Sequence, residues 1–207
     1  MKNLTKYTIY FALAISFYFL VKITLQYIPF NTDVAFLRIK QQYIDVPFYI
    51  EAFYIHVYTS IFAILAGFTQ FSDTLKIKQR KLHARMGWLY IVIVLLFAAP
   101  SGLYIGIYAN GGIPSQISFV LLAVLWFSFT LIALKRIQSK NYLSHKYFMI
   151  RSFSLTLSAI TLRFWKYIIV YLFHPRPMDV YLIVAWLGWV LNLLIAEIII
   201  YKLKQKK

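Results

Sequence analysis

Six long apolar runs separated by short polar segments make up most of the chain. They cover residues 7–28, 50–71, 85–108, 115–134, 146–173 and 180–201. Each reaches the roughly 20 residues that a helix needs to cross the apolar core of a bilayer. In lipid every backbone polar group must be satisfied within the segment, which selects helices here. The pattern predicts an all-α fold, a six-span transmembrane helix bundle forming a single integral membrane domain over residues 1–207. The first run is too long for a signal-peptide core and no small-residue cleavage site follows it, so it reads as a retained span, with Lys22 and Gln26 snorkelling at its far end.

Small and polar residues recur within the runs at helical spacing. His56, Thr59, Ser60, Ala63, Gly67 and Gln70 share one face of the second run. His83, Gly87, Tyr90, Val94 and Ser101 line the third, with Pro100 placed to kink it. Ala123, Trp126, Thr130 and Ala133 align in the fourth. In the fifth, His145, Met149, Ser152, Thr156, Ala159 and Arg163 form one stripe, with Lys166 at its edge. Such faces mark where membrane helices pack on one another.

Between the runs, residues 29–49 form the one long connection, which reads as a plain loop rather than a lid over a site, and Ala35–Gln42 within it fits a short interfacial helix with Phe36, Leu37 and Ile39 toward lipid. Asn110-Gly111-Gly112 with Pro114 predicts a tight turn, and His174-Pro175-Arg176-Pro177 ends the fifth span.

Charge orients this picture. The chain is 61% hydrophobic and 14% charged, and carries 22 Lys+Arg against 6 Asp+Glu, a net +16. The N-terminus, residues 72–85, residues 135–146 and the tail are rich in Lys and Arg, and six spans put all four on one side. The positive-inside rule makes that side cytoplasmic, with both termini there, and makes anionic lipids rather than nucleic acid the partner of the basic loops. Without Cys, disulfides and thiolate metal sites are excluded.

Four His carry the candidate chemistry. His83 and His145 fall at the cytoplasmic ends of their helices, His56 and His174 toward the outer side. Two His facing each other across a bundle are what a haem b needs as axial ligands. Arg80, Lys81, Arg85, Lys146 and Arg151 lie near the inner pair for haem propionates. The competing account is that these His bind lipid headgroups or loop carbonyls. Zinc would need three or four His, Asp or Glu around one point, and no paired-His zinc spacing exists. Glu197 reads as pairing, on its own helix, with Lys202 or Lys204, the alternative being a proton or cation site. Arg163 falls about midway along the fifth run, where a charge costs at least about 2.5 kcal/mol and so marks a functional site. Either a ligand pairs it, with His56 as a further contact, or it snorkels to the outer interface.

Two stretches resemble a known family: His83-Ala-Arg-Met-Gly-Trp-Leu-Tyr90, and His145-Lys-Tyr-Phe-Met-Ile-Arg-Ser152 followed by Thr161-Leu-Arg163. They are similar to the bacterial membrane proteins grouped as domain of unknown function 2306. His83, Gly87, Tyr90, His145, Met149, Arg151, Ser152, Thr161, Leu162 and Arg163 match its elements, and Trp126 fits a tryptophan often found between them. Lys146 and Ala84 stand where Arg is common. The resemblance implies a multi-pass protein of a bacterial cytoplasmic (inner) membrane and supplies no activity.

Two readings of function follow. One is a membrane redox component that binds haem b or quinone through His83 and His145, with His56, Arg151 and Arg163 as further cofactor-binding residues. The other is a non-enzymatic transporter, lipid-binding or membrane-complex assembly protein that uses the Arg163 stripe, with a membrane-protein partner or a second copy of itself. Whether the protein is an enzyme is open on the sequence.

Overall fold

A computed structural model describes residues 2–205, with the side chains of residues 2–10, 12, 13, 73 and 74 outside the description. Among the described residues the regular structure is helical throughout. The chain divides into two compact units, Met1–Ile50 and Glu51–Lys207.

In the first unit, α1 covers Lys2–Leu25, and its Ala14–Leu25 portion is apolar. The first predicted span thus falls partly on side chains outside the described residues. A 3₁₀ helix, Ala35–Tyr43, stands where the interfacial helix was expected. Its facing departs from expectation. Ile39 is exposed, but Leu37 is buried, and so is Lys40 three residues further on. The 3₁₀ repeat explains the pairing, because residues three apart eclipse one another and Leu37 and Lys40 share a face. The Lys40 Nζ lies 4.8 Å from the centre of the Tyr43 ring and 5.7 Å from that of Phe36. Burial lowers its pKa to about 8.

The second unit holds the long apolar helices. They are α2, Tyr49–Gln70, whose body lies in this unit; the short α3, Asp73–Lys78; the long α4, Arg80–Ile107; and α5, Gly112–Gln138. Then come α6, Tyr142–Thr156, α7, Ser158–Phe173, and α8, Pro177–Gln205. Helices α2, α4, α5 and α8 are each long and apolar enough to cross a membrane, and α6 with α7 makes a fifth candidate if the pair counts as one span. Helix α3 was not expected. Ser72 starts it by accepting a hydrogen bond from the Leu75 N–H at 3.4 Å.

Two departures from straight helices matter for the site. Pro100 was expected to kink its helix. The helix α4 runs through it without ending, with a π turn at Ile93–Ala98 immediately before the proline. Pro100 then sits in the first turn of the resumed α-helix, where its missing N–H disturbs least. The fifth predicted span is broken at Leu157, where α6 and α7 bend by 41°. Both sides of the break are tied to α8. Asn192 Nδ2 donates to the Ser154 carbonyl at 3.1 Å and to Thr161 Oγ1 at 2.9 Å. Thr161 Oγ1 in turn donates to the Gly188 carbonyl. A Cβ on Gly188 would come 2.9 Å from the Leu162 Cβ, so only glycine lets α7 and α8 approach this closely.

The core follows the predicted stripes. Ala123, Trp126, Thr130 and Ala133 of α5 are all buried. So are Tyr90, Val94 and Ser101 of α4, and Met149, Ser152 and Thr156 of α6. Gly67 seats the Phe153 ring, since a Cβ there would lie 2.3 Å from Phe153 Cε2. The outward faces carry large exposed apolar residues such as Phe62, Leu96, Phe164 and Ile198, as lipid contact requires.

Candidate functional site

The residues that the sequence singles out fall into three levels along the helices of the second unit. At the middle level, α4, α5 and α6 meet through hydroxyl groups. Tyr90 Oη lies 2.6 Å from Ser152 Oγ and 2.7 Å from Thr156 Oγ1. Ser152 Oγ lies 2.7 Å from Thr130 Oγ1, and the Trp126 indole N–H donates to Tyr90 Oη at 3.3 Å. One proton arrangement satisfies every group. Thr130 donates to the Trp126 carbonyl at 2.7 Å, Ser152 to Thr130, Tyr90 to Ser152, and Thr156 and the indole to Tyr90. A fully satisfied buried network of this kind fixes how helices pack. Tyr90, Trp126 and Ser152 therefore act here as cross-links between helices.

At one end of this level stand His83 and His145. Each is the fourth residue of its helix, because α4 and α6 begin earlier than the apolar runs predicted. The His145 ring meets the Ala133 carbonyl of α5, with Nδ1 and O 2.8 Å apart. A carbonyl oxygen only accepts, so Nδ1 carries a proton, and in the neutral tautomer this leaves Nε2 with its lone pair. His83 lies within electrostatic range of His145 and Lys76. Among the described residues its buried Nδ1 has no hydrogen-bond partner. Gln70 at the end of α2 closes the same corner by donating from Nε2 to the His83 carbonyl at 3.3 Å. Gly87 gives that amide room, since a Cβ there would be 3.0 Å from Gln70 Oε1.

Arg151 points elsewhere. Its Nε and Nη2 bind the two carboxylate oxygens of Glu197 on α8 at 2.5 and 2.8 Å, and its guanidinium stacks 5.0 Å from the centre of the Phe148 ring. The expected ion pair of Glu197 with Lys202 or Lys204 is therefore replaced by a bidentate bond across two helices. The sequence displays neighbours along a helix but not which residue faces it from another, and the planar fork of Arg fits a carboxylate better than a lysine tip does.

At the other end lies His56. Its Nδ1 is 2.8 Å from the Ala98 carbonyl, at the end of the π turn. Arg163 is near enough for its charge to act on this ring. The stripe predicted from His145 to Arg163 does not stay on one face. His145 through Thr156 point into the bundle, whereas Arg163, beyond the Leu157 break, is exposed and donates to the Ala159 carbonyl. His174 ends α7 in the left-handed region at φ 47° and is exposed, apart from both His levels. Among the described residues no three His, Asp or Glu gather as zinc would require.

Residues 53–200 match the model of a family described as predicted membrane proteins, DUF2306. The chain belongs to that family. No curated protein and no solved structure matches it. Within the DUF2306 region lie every His level and the whole hydroxyl network, and the residues that carried the resemblance divide by role. Tyr90, Met149 and Ser152 are buried packing residues, Gly87 makes room for Gln70, Arg151 joins two helices, and His83 and His145 share one corner.

Proposed function

We propose that this member of the DUF2306 family is a membrane redox component that binds haem b, or a quinone in its place, through His83 and His145. The observation that carries this reading is the hydrogen bond from His145 Nδ1 to the Ala133 carbonyl. Axial imidazoles are held in this manner, with one ring nitrogen committed to a carbonyl and the other left as ligand. The orphaned Nδ1 of His83 at the same corner is a second donor atom in want of a partner. Two imidazoles and no competing thiolate suit a b-type haem, which would supply one-electron transfer. The basic residues Arg80, Lys81, Arg85 and Lys146 flank the corner for propionates. Arg151 orients α6 against α8 through Glu197.

In this reading the whole of residues 1–207 is one integral membrane domain with six spans, counting residues 7–28 and the broken α6–α7 pair. It lies in a bacterial cytoplasmic membrane with both termini inside and anionic lipid against the basic loops. The test is the absorbance spectrum of protein expressed with haem supplied. A Soret band is expected that His83→Ala and His145→Ala each abolish and His174→Ala retains. Colourless, folded wild-type protein from which solvent extracts no quinone would overturn the reading.

A further inference from the structure

His56 and His145 are clamped in the same way at opposite ends of the second unit. Each meets a backbone carbonyl of another helix through Nδ1, at 2.8 Å in both cases. The proton is thereby fixed on Nδ1, and Nε2 of His56 is an acceptor. The seat of the ring is specific. A Cβ on Gly102 would lie 2.8 Å from His56 Cε1, so the imidazole rests on bare backbone. The carbonyl it uses belongs to the π turn Ile93–Ala98, and π turns inside helices are frequent at functional sites. The Arg163 guanidinium lies within electrostatic range of this ring, keeps its charge at any accessible pH and sits on the exposed side of an apolar helix.

A neutral acceptor next to a permanent cation complements one kind of group, a weakly acidic hydroxyl. Its O–H donates to Nε2 while its oxygen faces the guanidinium. A carboxylic acid has lost that proton near neutral pH, whereas a phenolic hydroxyl, with a pKa near 10, keeps it. Exposure of Arg163 among apolar residues gives entry from the bilayer. We infer that His56 and Arg163 form a second binding site, one that takes a lipid-soluble hydroquinone-class molecule. The site deepens the redox reading by naming its lipid-soluble substrate, but its test does not depend on the His83/His145 end.

The full-length protein in nanodiscs of zwitterionic lipid is titrated with dodecylhydroquinone, and bound ligand is read by native mass spectrometry. Wild type binds it, and binds its dimethyl ether, which has no O–H, about tenfold more weakly, as leaving the Nε2 acceptor without its hydrogen bond implies. His56→Ala and Arg163→Gln each weaken the hydroquinone to a similar degree, and His145→Ala leaves it unchanged. Should His56→Ala fail to fold, the exposed Arg163→Gln and the ether comparison on wild type still decide. Equal affinity for hydroquinone and ether, or uptake of lauric acid in preference to the hydroquinone, overturns the assignment.

Discussion

Tyr90 Oη lies 2.6 Å from Ser152 Oγ although 62 residues separate them in the chain. That contact is the centre of the hydroxyl network, and both residues are completely buried. Tyr90→Phe removes one oxygen and leaves Ser152, Thr156 and the Trp126 indole without their common partner. The expected cost is about 1–3 kcal/mol, the penalty of stranding buried polar groups. Unfolding in detergent followed by circular dichroism measures it. A Tyr90→Phe variant as stable as wild type would mean that the network is not a cross-link.

Gly67 and Phe153 make the opposite kind of contact, one of bare space. A methyl group at position 67 would enter the Phe153 ring at 2.3 Å. Gly67→Ala should therefore destabilise by about 1–3 kcal/mol, as overpacking does. Gly87→Ala should be milder, because its nearest neighbour is the movable end of Gln70 at 3.0 Å. Adding Phe153→Leu to Gly67→Ala should recover part of the loss, and the four proteins compared by thermal melting show whether it does.

The orientation proposed from the basic loops places Asn110 and Asp179 outside. The Cys-free chain suits single-Cys labelling. A Cys at position 110 should react with an impermeant maleimide added to intact cells, and one at position 140 only after the membrane is opened. The reverse pattern would invert the topology.

Lys40 gives the pH dependence. Burial holds its folded pKa near 8, below the usual 10.5. Between those values the unfolded chain binds more protons than the folded one, so stability rises as pH increases from 8 to 10.5. Below pH 8 both states are protonated and the penalty is constant. Lys40→Met should flatten this rise. Denaturant midpoints at pH 7.5, 9 and 10 test it, and a slope unchanged by the substitution would show that another group is responsible.

Helical periodicity made the inward faces legible. The 3.6-residue repeat alone aligns Ala123, Trp126, Thr130 and Ala133, and all four are buried. It likewise brought Tyr90 and Ser152 onto core-facing stripes, though not into contact, since nothing in a linear pattern fixes which stripes meet. The Leu157 break was not legible. Residues 146–173 contain no proline or glycine, and the bend is bound up with Asn192 and Gly188 from a different helix. Leu37 was misread because a helix of 3.6 residues per turn was assumed where the chain forms a tighter 3₁₀ helix. The carbonyl clamps on His56 and His145 had no signal at all in the sequence, because their partners are backbone atoms that any residue carries.

The Leu157 break also divides the second unit mechanically. On the α6 side, hydroxyl bonds join three helices and their side chains are buried. On the α7 side none of the helix's residues is buried, and the Tyr167 and Tyr171 rings stack on its exposed surface. The bilayer therefore meets a hydroxyl-bonded three-helix block on one side of the break and, on the other, a helix fastened to α8 through Thr161 and Leu162. Arg163 belongs to the helix fastened to α8 while the His56 clamp is anchored to α4, so any sliding of α8 against α4 changes the setting of one relative to the other.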